Sequence, residues 1–141
     1  MSARLVLFVD GEPVPWARAG RSGRRTYTPK RYAAYKRLVV AHASIEERAQ
    51  GWQVPGRLVA IEVTLTIVRA RPRRLSRRSD PDGRIWAPAR PDLDNYLKAV
   101  LDGLQLAGVI ADDSQVVRTV AEKFYAARGE IPGAHISLAV L

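Results

Sequence analysis

Leu93-Asp94-Asn95-Tyr96-Leu97-Lys98-Ala99-Val100-Leu101-Asp102-Gly103-Leu104-Gln105-Leu106-Ala107, followed by Gly108, is the most regular stretch of the 141-residue chain. Leu93, Leu97, Val100, Leu101 and Leu104 recur at helical spacing, so they form one apolar stripe. Gly108 stands where a helix takes its C-terminal glycine. A stripe of this kind needs an apolar surface to cover, and the flanking sequence supplies strands. Leu58 to Ala70 alternates Val59, Ile61, Val63, Leu65 and Ile67 with Glu62, Thr64 and Thr66. Arg4 to Val9, Gln115 to Ala126 and Ala134 to Leu141 read as three more strands. A second helix is expected from a Thr28 cap and Pro29 through Tyr32, Tyr35, Leu38, Val39, His42 and Ile45 to about Gln50, where Gly51 stops it. The order β-α-β-α-β-β predicts an α+β sandwich: a mixed sheet of about four strands with two main helices packed on it.

Nothing suggests a second domain or an internal repeat, so residues 1–141 are expected to form one domain. Two segments lack periodicity. Ala19 to Arg25 is rich in glycine and arginine and is expected to be mobile. Residues 70–91 hold seven arginines and four prolines and are expected to form a long, flexible basic loop.

The formal charge is +9, with 19 arginines against 4 lysines. Residues 1–91 carry 19 basic and 7 acidic side chains, whereas residues 92–141 carry 4 and 7. Arginine is the better fork for phosphate, so the basic half reads as a surface for a nucleic-acid backbone. The bland reading is a solvated basic surface. With no cysteine and only His42 and His135, thiolate chemistry and zinc sites of the usual kind are excluded. Both histidines fall on structural patterns, which leaves Ser/His/Asp catalysis without local support. There is no GxxxxGK loop, and Gly20-Arg21-Ser22-Gly23 is no dinucleotide fingerprint, so no nucleotide cofactor is expected. No apolar run reaches membrane length, and a cytoplasmic, nucleoid-associated protein is expected.

Against this basic background stand Asp92, Asp94, Asp112 and Asp113, four acids within 22 residues. Carboxylates inside a phosphate-binding surface are best explained by a hard divalent cation bridging them to a scissile phosphate. Asp94, Lys98 and Asp102 follow one another at i, i+4, i+8 along the flank of the leucine stripe. If Asp92 is an extended cap residue, its carboxylate can turn towards Asp94, while the positive helix end lessens their repulsion. One of Asp112 and Asp113 is then expected to converge on that pair. Each residue also has a structural reading: Asp92 as a plain cap, Asp94 and Lys98 as an exposed ion pair, Asp112-Asp113 as an acidic turn, Asn95 as a cap or solvent-facing residue.

Asp92-Leu93-Asp94-Asn95, Lys98, Asp102-Gly103-Leu104, Ala107-Gly108 and Asp112-Asp113-Ser114-Gln115-Val116 resemble, in order and without a gap, the RusA-type Holliday junction resolvases. Gly11-Glu12-Pro13-Val14-Pro15-Trp16-Ala17-Arg18 and the Thr28-Pro29 helix start also look like the family's opening, while the 70–91 loop does not. The resemblance implies a homodimeric, Mg²⁺-dependent endonuclease (with Mn²⁺ as a substitute) that nicks four-way DNA junctions symmetrically in recombination and repair. It carries Asp92, Asp94 and Asp113 over as essential acids and metal ligands, and Lys98 as the essential lysine. Asp112 falls on a neighbouring acid of less certain role. Arg18, Arg21, Arg24, Arg25, Arg71, Arg73, Arg74, Arg77, Arg78 and Arg90 are then expected to contact backbone phosphates. Trp16 or Trp86 would wedge or stack at an opened junction, with a core role as the alternative for Trp16. The competing classes are a basic binding or architectural protein whose acids are structural, and a nuclease acting on flaps or linear duplex.

Overall fold

The computed structural model describes residues 3–141. Four long strands carry the fold: β1 (Arg4–Asp10), β4 (Ile61–Arg69), β6 (Val116–Tyr125) and β7 (Gly133–Val140). A two-residue strand, β5 (Ile85–Trp86), completes a five-stranded sheet in the order β1-β7-β4-β6-β5. β4 and β6 run parallel, and every other neighbouring pair is antiparallel. Helices α1 (Lys30–Gln50) and α2 (Leu93–Ala107) cover one face. The architecture is therefore the expected α+β sandwich, with one more strand than the four expected.

The alternation in β4 explains the layering. Ile61, Val63, Leu65 and Ile67 are buried beneath the helices, together with Leu5, Leu7 and Val9 of β1 and Ile136 and Leu138 of β7. Tyr35, Val39 and Ala43 of α1 and Tyr96, Val100 and Leu104 of α2 close the core from above. The two helices approach closely at Gly103, where an added Cβ would lie 2.6 Å from Val39 Cγ1.

The outer edge of β1 is met at Val6 by a side chain. Gln50, at the end of α1, gives its amide N–H to the Val6 carbonyl (2.5 Å) and accepts from the Val6 N–H (2.9 Å). At that one residue a glutamine amide makes the bonds a neighbouring strand would make.

Several boundaries depart from the sequence expectation. Pro29 occupies the N-cap position of α1 and no side chain caps the helix, so Thr28 is not the cap. β4 begins at Ile61 because Val59 N–H closes a turn onto the Gly56 carbonyl (2.9 Å), which leaves Leu58 fully exposed. The glycine-arginine segment is an ordered hairpin, β2 (Gly20–Ser22) with β3 (Arg25–Tyr27), rather than a mobile loop. Residues 70–91 contain β5 and a 3-10 turn at Arg73–Leu75.

Candidate active site

The first turn of α2 places the leading pair of acids. Asp92 has extended dihedrals (φ −70°, ψ 145°) at the N-cap, yet its side chain makes no capping bond. The carboxylates of Asp92 and Asp94 are exposed, and among the described residues neither accepts a hydrogen bond or joins an ion pair. Both lie at the positive end of the helix, where negative charge is favoured.

The chain enters α2 through a cis Arg90–Pro91 peptide bond. That entry is gripped from below by two cations. Lys123 of β6 donates to the carbonyls of Ala89 (2.7 Å) and Pro91 (2.6 Å), and Arg69 donates to the Arg90 carbonyl (2.9 Å). Burial and neighbouring Arg69 push the Lys123 pKa down, and the charge of Asp92 pulls it part of the way back. Sequence reasoning assigned Lys123 no role. The available signal was its register: it pairs with Ile67 on the helix-covered face, where a lysine needs a partner.

Lys98 forms no ion pair with Asp94 or Asp102. Its ammonium lies 3.8 Å from the centre of the Trp16 ring. Trp16 in turn donates its backbone N–H to the Asn95 carbonyl (2.8 Å), so the extended 12–18 segment is strapped along α2. Asp102 accepts from the Tyr32 hydroxyl of α1 (2.5 Å). Burial, followed by that bond, raises the Tyr32 pKa. The row Asp94, Lys98, Asp102 therefore divides into a free acid, a lysine under an indole and a helix–helix tie.

The later acids have separate fates. Asp112 caps the 3-10 turn Asp113–Gln115, accepting from the Ser114 N–H and hydroxyl. Those bonds hold its pKa below the usual value. Gln115, buried, accepts from the N–H groups of Ala111 and Asp112 and donates to the carbonyls of Gly56 and Val59. Asp113 is exposed and its carboxylate has no partner among the described residues; only its backbone is held, by Gln105 Oε1 (3.3 Å).

Gln105 lies in the last turn of α2, and Asp92 precedes the first. Twelve residues at about 1.5 Å each separate Leu93 from Gln105, so the helix sets roughly 18 Å between the end that carries Asp92 and the residue that holds the Asp113 backbone. Strand β6 gives a second ruler. It starts directly after Asp113–Gln115 and reaches the Asp92 end at Lys123, seven residues and roughly 23 Å further on. The sequence expectation of Asp92, Asp94 and Asp113 converging is thus not met within one chain. Among the described residues, no three acidic or histidine side chains are grouped to hold a metal ion. A single chain does not fit the metal centre the three acids suggest.

The arginines divide as well. Arg71 donates to the carbonyls of Ala126 (2.9 Å), Leu75 (3.0 Å), Pro81 (2.7 Å) and Gly83 (2.6 Å), so it organises the 70–91 loop. Arg74 reaches Tyr125 through its hydroxyl (3.4 Å) and its ring. Arg18, Arg21, Arg24, Arg25, Arg73, Arg77, Arg78 and Arg90 are exposed. Trp86, 62% exposed, stacks on Phe124 at 4.4 Å. No helix among the described residues is long and apolar enough to cross a membrane.

Comparison with protein families matches residues 10–138 to the family described as Endodeoxyribonuclease RusA. No curated protein matches the chain. A match across nearly the whole fold makes this chain a member of the RusA endodeoxyribonuclease family, a hydrolase acting on DNA junctions.

Proposed function

We propose that the chain resolves four-way (Holliday) DNA junctions by paired symmetric nicks, as a Mg²⁺-dependent homodimer in recombination and repair, with Mn²⁺ able to replace Mg²⁺. The observation that carries this reading is the state of three side chains. Asp92, Asp94 and Asp113 are the acids carried over from the family resemblance, and all three are exposed, with no hydrogen bond or ion pair to their carboxylates among the described residues. Neighbouring acids are instead absorbed structurally, Asp112 in a cap and Asp102 on Tyr32. Carboxylates left open in a protein of net charge +9 are available for work on a phosphodiester.

Lys98 supplies fixed positive charge one turn from Asp94, where anionic charge grows on an attacked phosphate. The exposed arginines of the β2–β3 hairpin and of the 70–91 loop grip backbone phosphates away from the cut. Two opposed nicks require two sites related by the junction's own two-fold symmetry, which a homodimer provides.

The test is cleavage of a synthetic four-way junction with Mg²⁺, beside a flap and a linear duplex of the same sequence. The junction is expected to be nicked in two opposed strands, and Asp94→Asn to bind it without cutting. Equal cutting of the linear duplex would remove junction selectivity. Salt-sensitive binding without any cleavage would make the protein an architectural one.

A further inference from the structure

Asp92 is exposed, its carboxylate makes no capping bond, and it joins no ion pair among the described residues. No other side chain therefore holds that carboxylate, and it can be no better placed than the backbone that carries it. We infer, on the junction-nuclease reading, that Lys123 of β6 is the positioning residue for Asp92, seconded by Arg69 of β4. Together they fix the peptide that precedes the acid and so aim its carboxylate at the phosphodiester. Lys123 lies outside the 92–116 block on which the family resemblance rests.

Three consecutive carbonyls lead into α2, those of Ala89, Arg90 and Pro91, and each of them meets a cation. Lys123 Nζ donates to Ala89 (2.7 Å) and to Pro91 (2.6 Å), while Arg69 Nη1 donates to Arg90 (2.9 Å). The Pro91 carbonyl and the Asp92 Cα belong to one planar peptide unit, so a donor that orients the carbonyl also places the acid. On the other side of the acid, the Asn95 N–H closes onto the Asp92 carbonyl (3.2 Å). Asp92 thus stands between a cationic grip and the first turn of the helix. Arg69 is itself held. Glu12 lies 3.6 Å from its Nε and takes the Ala70 N–H through its other oxygen (2.8 Å).

The choice of a lysine here is informative. Register sets Lys123 beside Ile67 on the helix-covered face, where its neighbours along the strand, Ala121 and Tyr125, are half-buried and buried. An ammonium in such a place costs desolvation that only good hydrogen bonds offset. In return, a charged donor binds a carbonyl about twice as strongly as a neutral one. Arg71 and Arg128 also hold loop carbonyls, but those carbonyls precede none of the three unpartnered acids. The Lys123 contacts end at the peptide bond into Asp92. Precision at that point matters because a reacting group misplaced by about 1 Å can cost roughly 100-fold in rate.

Single-turnover cleavage of a four-way junction by Lys123→Met tests this, beside the thermal midpoint and junction affinity measured in chelator. Methionine keeps an unbranched stem and removes the charge and the N–H donors. At saturating protein the cleavage rate constant is expected to fall roughly 10- to 100-fold, while junction affinity stays within about twofold of the parent. Lys123→Arg, which brings a charged donor to the same carbonyls, should recover most of the rate. Lys123→Met combined with Asp92→Asn should cut no more slowly than Asp92→Asn alone, because a group that acts through Asp92 then has nothing left to position. A parental rate in Lys123→Met, a loss confined to affinity, or a further loss in the double variant would each overturn the inference. Should methionine bring the midpoint down to the assay temperature, Lys123→Gln, which keeps neutral N–H donors, is read in the same way. A parent chain that cuts no junction would instead defeat the nuclease reading beneath the inference.

Discussion

The Lys98 ammonium lies 3.8 Å from the centre of the Trp16 ring, and the same tryptophan donates its backbone N–H to the Asn95 carbonyl between Asp94 and Lys98. Trp16 therefore holds the lysine with its indole and the helix with its backbone. A cation held over an aromatic face is worth about 0.5–2 kcal/mol, which converts to roughly 2- to 30-fold in rate if the orientation matters only during cleavage. Trp16→Ala is expected to slow single-turnover junction cleavage within that range while junction affinity stays close to parental. Trp16→Phe, which keeps an aromatic face, should recover most of the rate. Unchanged cleavage in Trp16→Ala would show that the stacking does not position Lys98.

Asp112 and Asp113 are adjacent in sequence and opposite in employment, which separates their variants. Asp113→Asn should reduce cleavage by at least about 100-fold, as expected for loss of a group acting on the transition state. Its thermal midpoint should match the parent, because the carboxylate is exposed and has no hydrogen-bond or ion-pair partner among the described residues. Asp112→Ala removes the acceptor for the Ser114 N–H and hydroxyl. It is expected to lower the midpoint and to leave cleavage within about twofold, since a capping group acts on stability. The reverse pattern, measured by calorimetry beside the cleavage assay, would exchange the two roles.

How much of this was legible in the sequence depends on what each feature is made of. Helix α2 was visible because its leucines repeat at the helical period and Gly108 adopts the left-handed conformation at its end (φ 77°). Strand β4 was visible because Ile61, Val63, Leu65 and Ile67 alternate with polar residues. The hairpin of β2 and β3 was not, since its six residues are exposed or nearly so and carry no apolar alternation. The acids were identifiable as a group by their order, yet their grouping in space was not. A motif written along the chain hides the length of the helix between its parts, and 15 helical residues hold Asp92 and Asp113 at opposite ends. Arg71 looked like its neighbours because composition cannot tell an arginine facing carbonyls from one facing solvent.

That distinction among arginines has a measurable form. Arg71→Ala withdraws a guanidinium from four carbonyls at 3.0 Å or less, and is expected to destabilise the fold by about 1–3 kcal/mol. Limited trypsin digestion should then cut faster between Arg73 and Arg78. Replacing exposed Arg77 and Arg78 together by alanine should leave stability within about 0.5 kcal/mol of the parent. Junction binding should weaken, and the slope of log affinity against log salt should become shallower by about two. A double variant with parental affinity and slope would place the phosphate track elsewhere.

Glu130 joins the β6–β7 connection to the basic loop through Arg84 (2.7 Å) and also accepts the Ala127 N–H (2.9 Å). The bond to Arg84, followed by that to Ala127, holds its pKa below the ordinary 4.5. A carboxylate depressed by folding lends stability that is complete above its unfolded pKa and is lost as pH falls through the lower folded value. Glu130→Gln is therefore expected to be less stable than the parent at neutral pH, by about 0.5–1 kcal/mol for a partly solvated pair. The gap should close as the pH is taken well below 4.5. Urea denaturation at pH 7 and pH 3 would reveal it, and a gap that widens in acid would mean that the pair does not stabilise the folded state.

β5 flanks β6 only at Phe124 and Tyr125, so among the described residues no strand covers the β6 edge near Val120. Its side chain is 49% exposed, so a polar replacement costs the single chain little. Lysine at this position in both copies would set two like charges against each other at the two-fold, where direct opposition in a sheet is unfavourable. Val120→Lys is expected to keep the parental far-ultraviolet spectrum and thermal midpoint at low concentration, but to elute with half the parental mass by light scattering. Paired junction cleavage should fall with the loss of dimer and return as protein concentration is raised, because two opposed nicks need two sites related by a two-fold. A variant that stays dimeric and active would move the two-fold away from this strand.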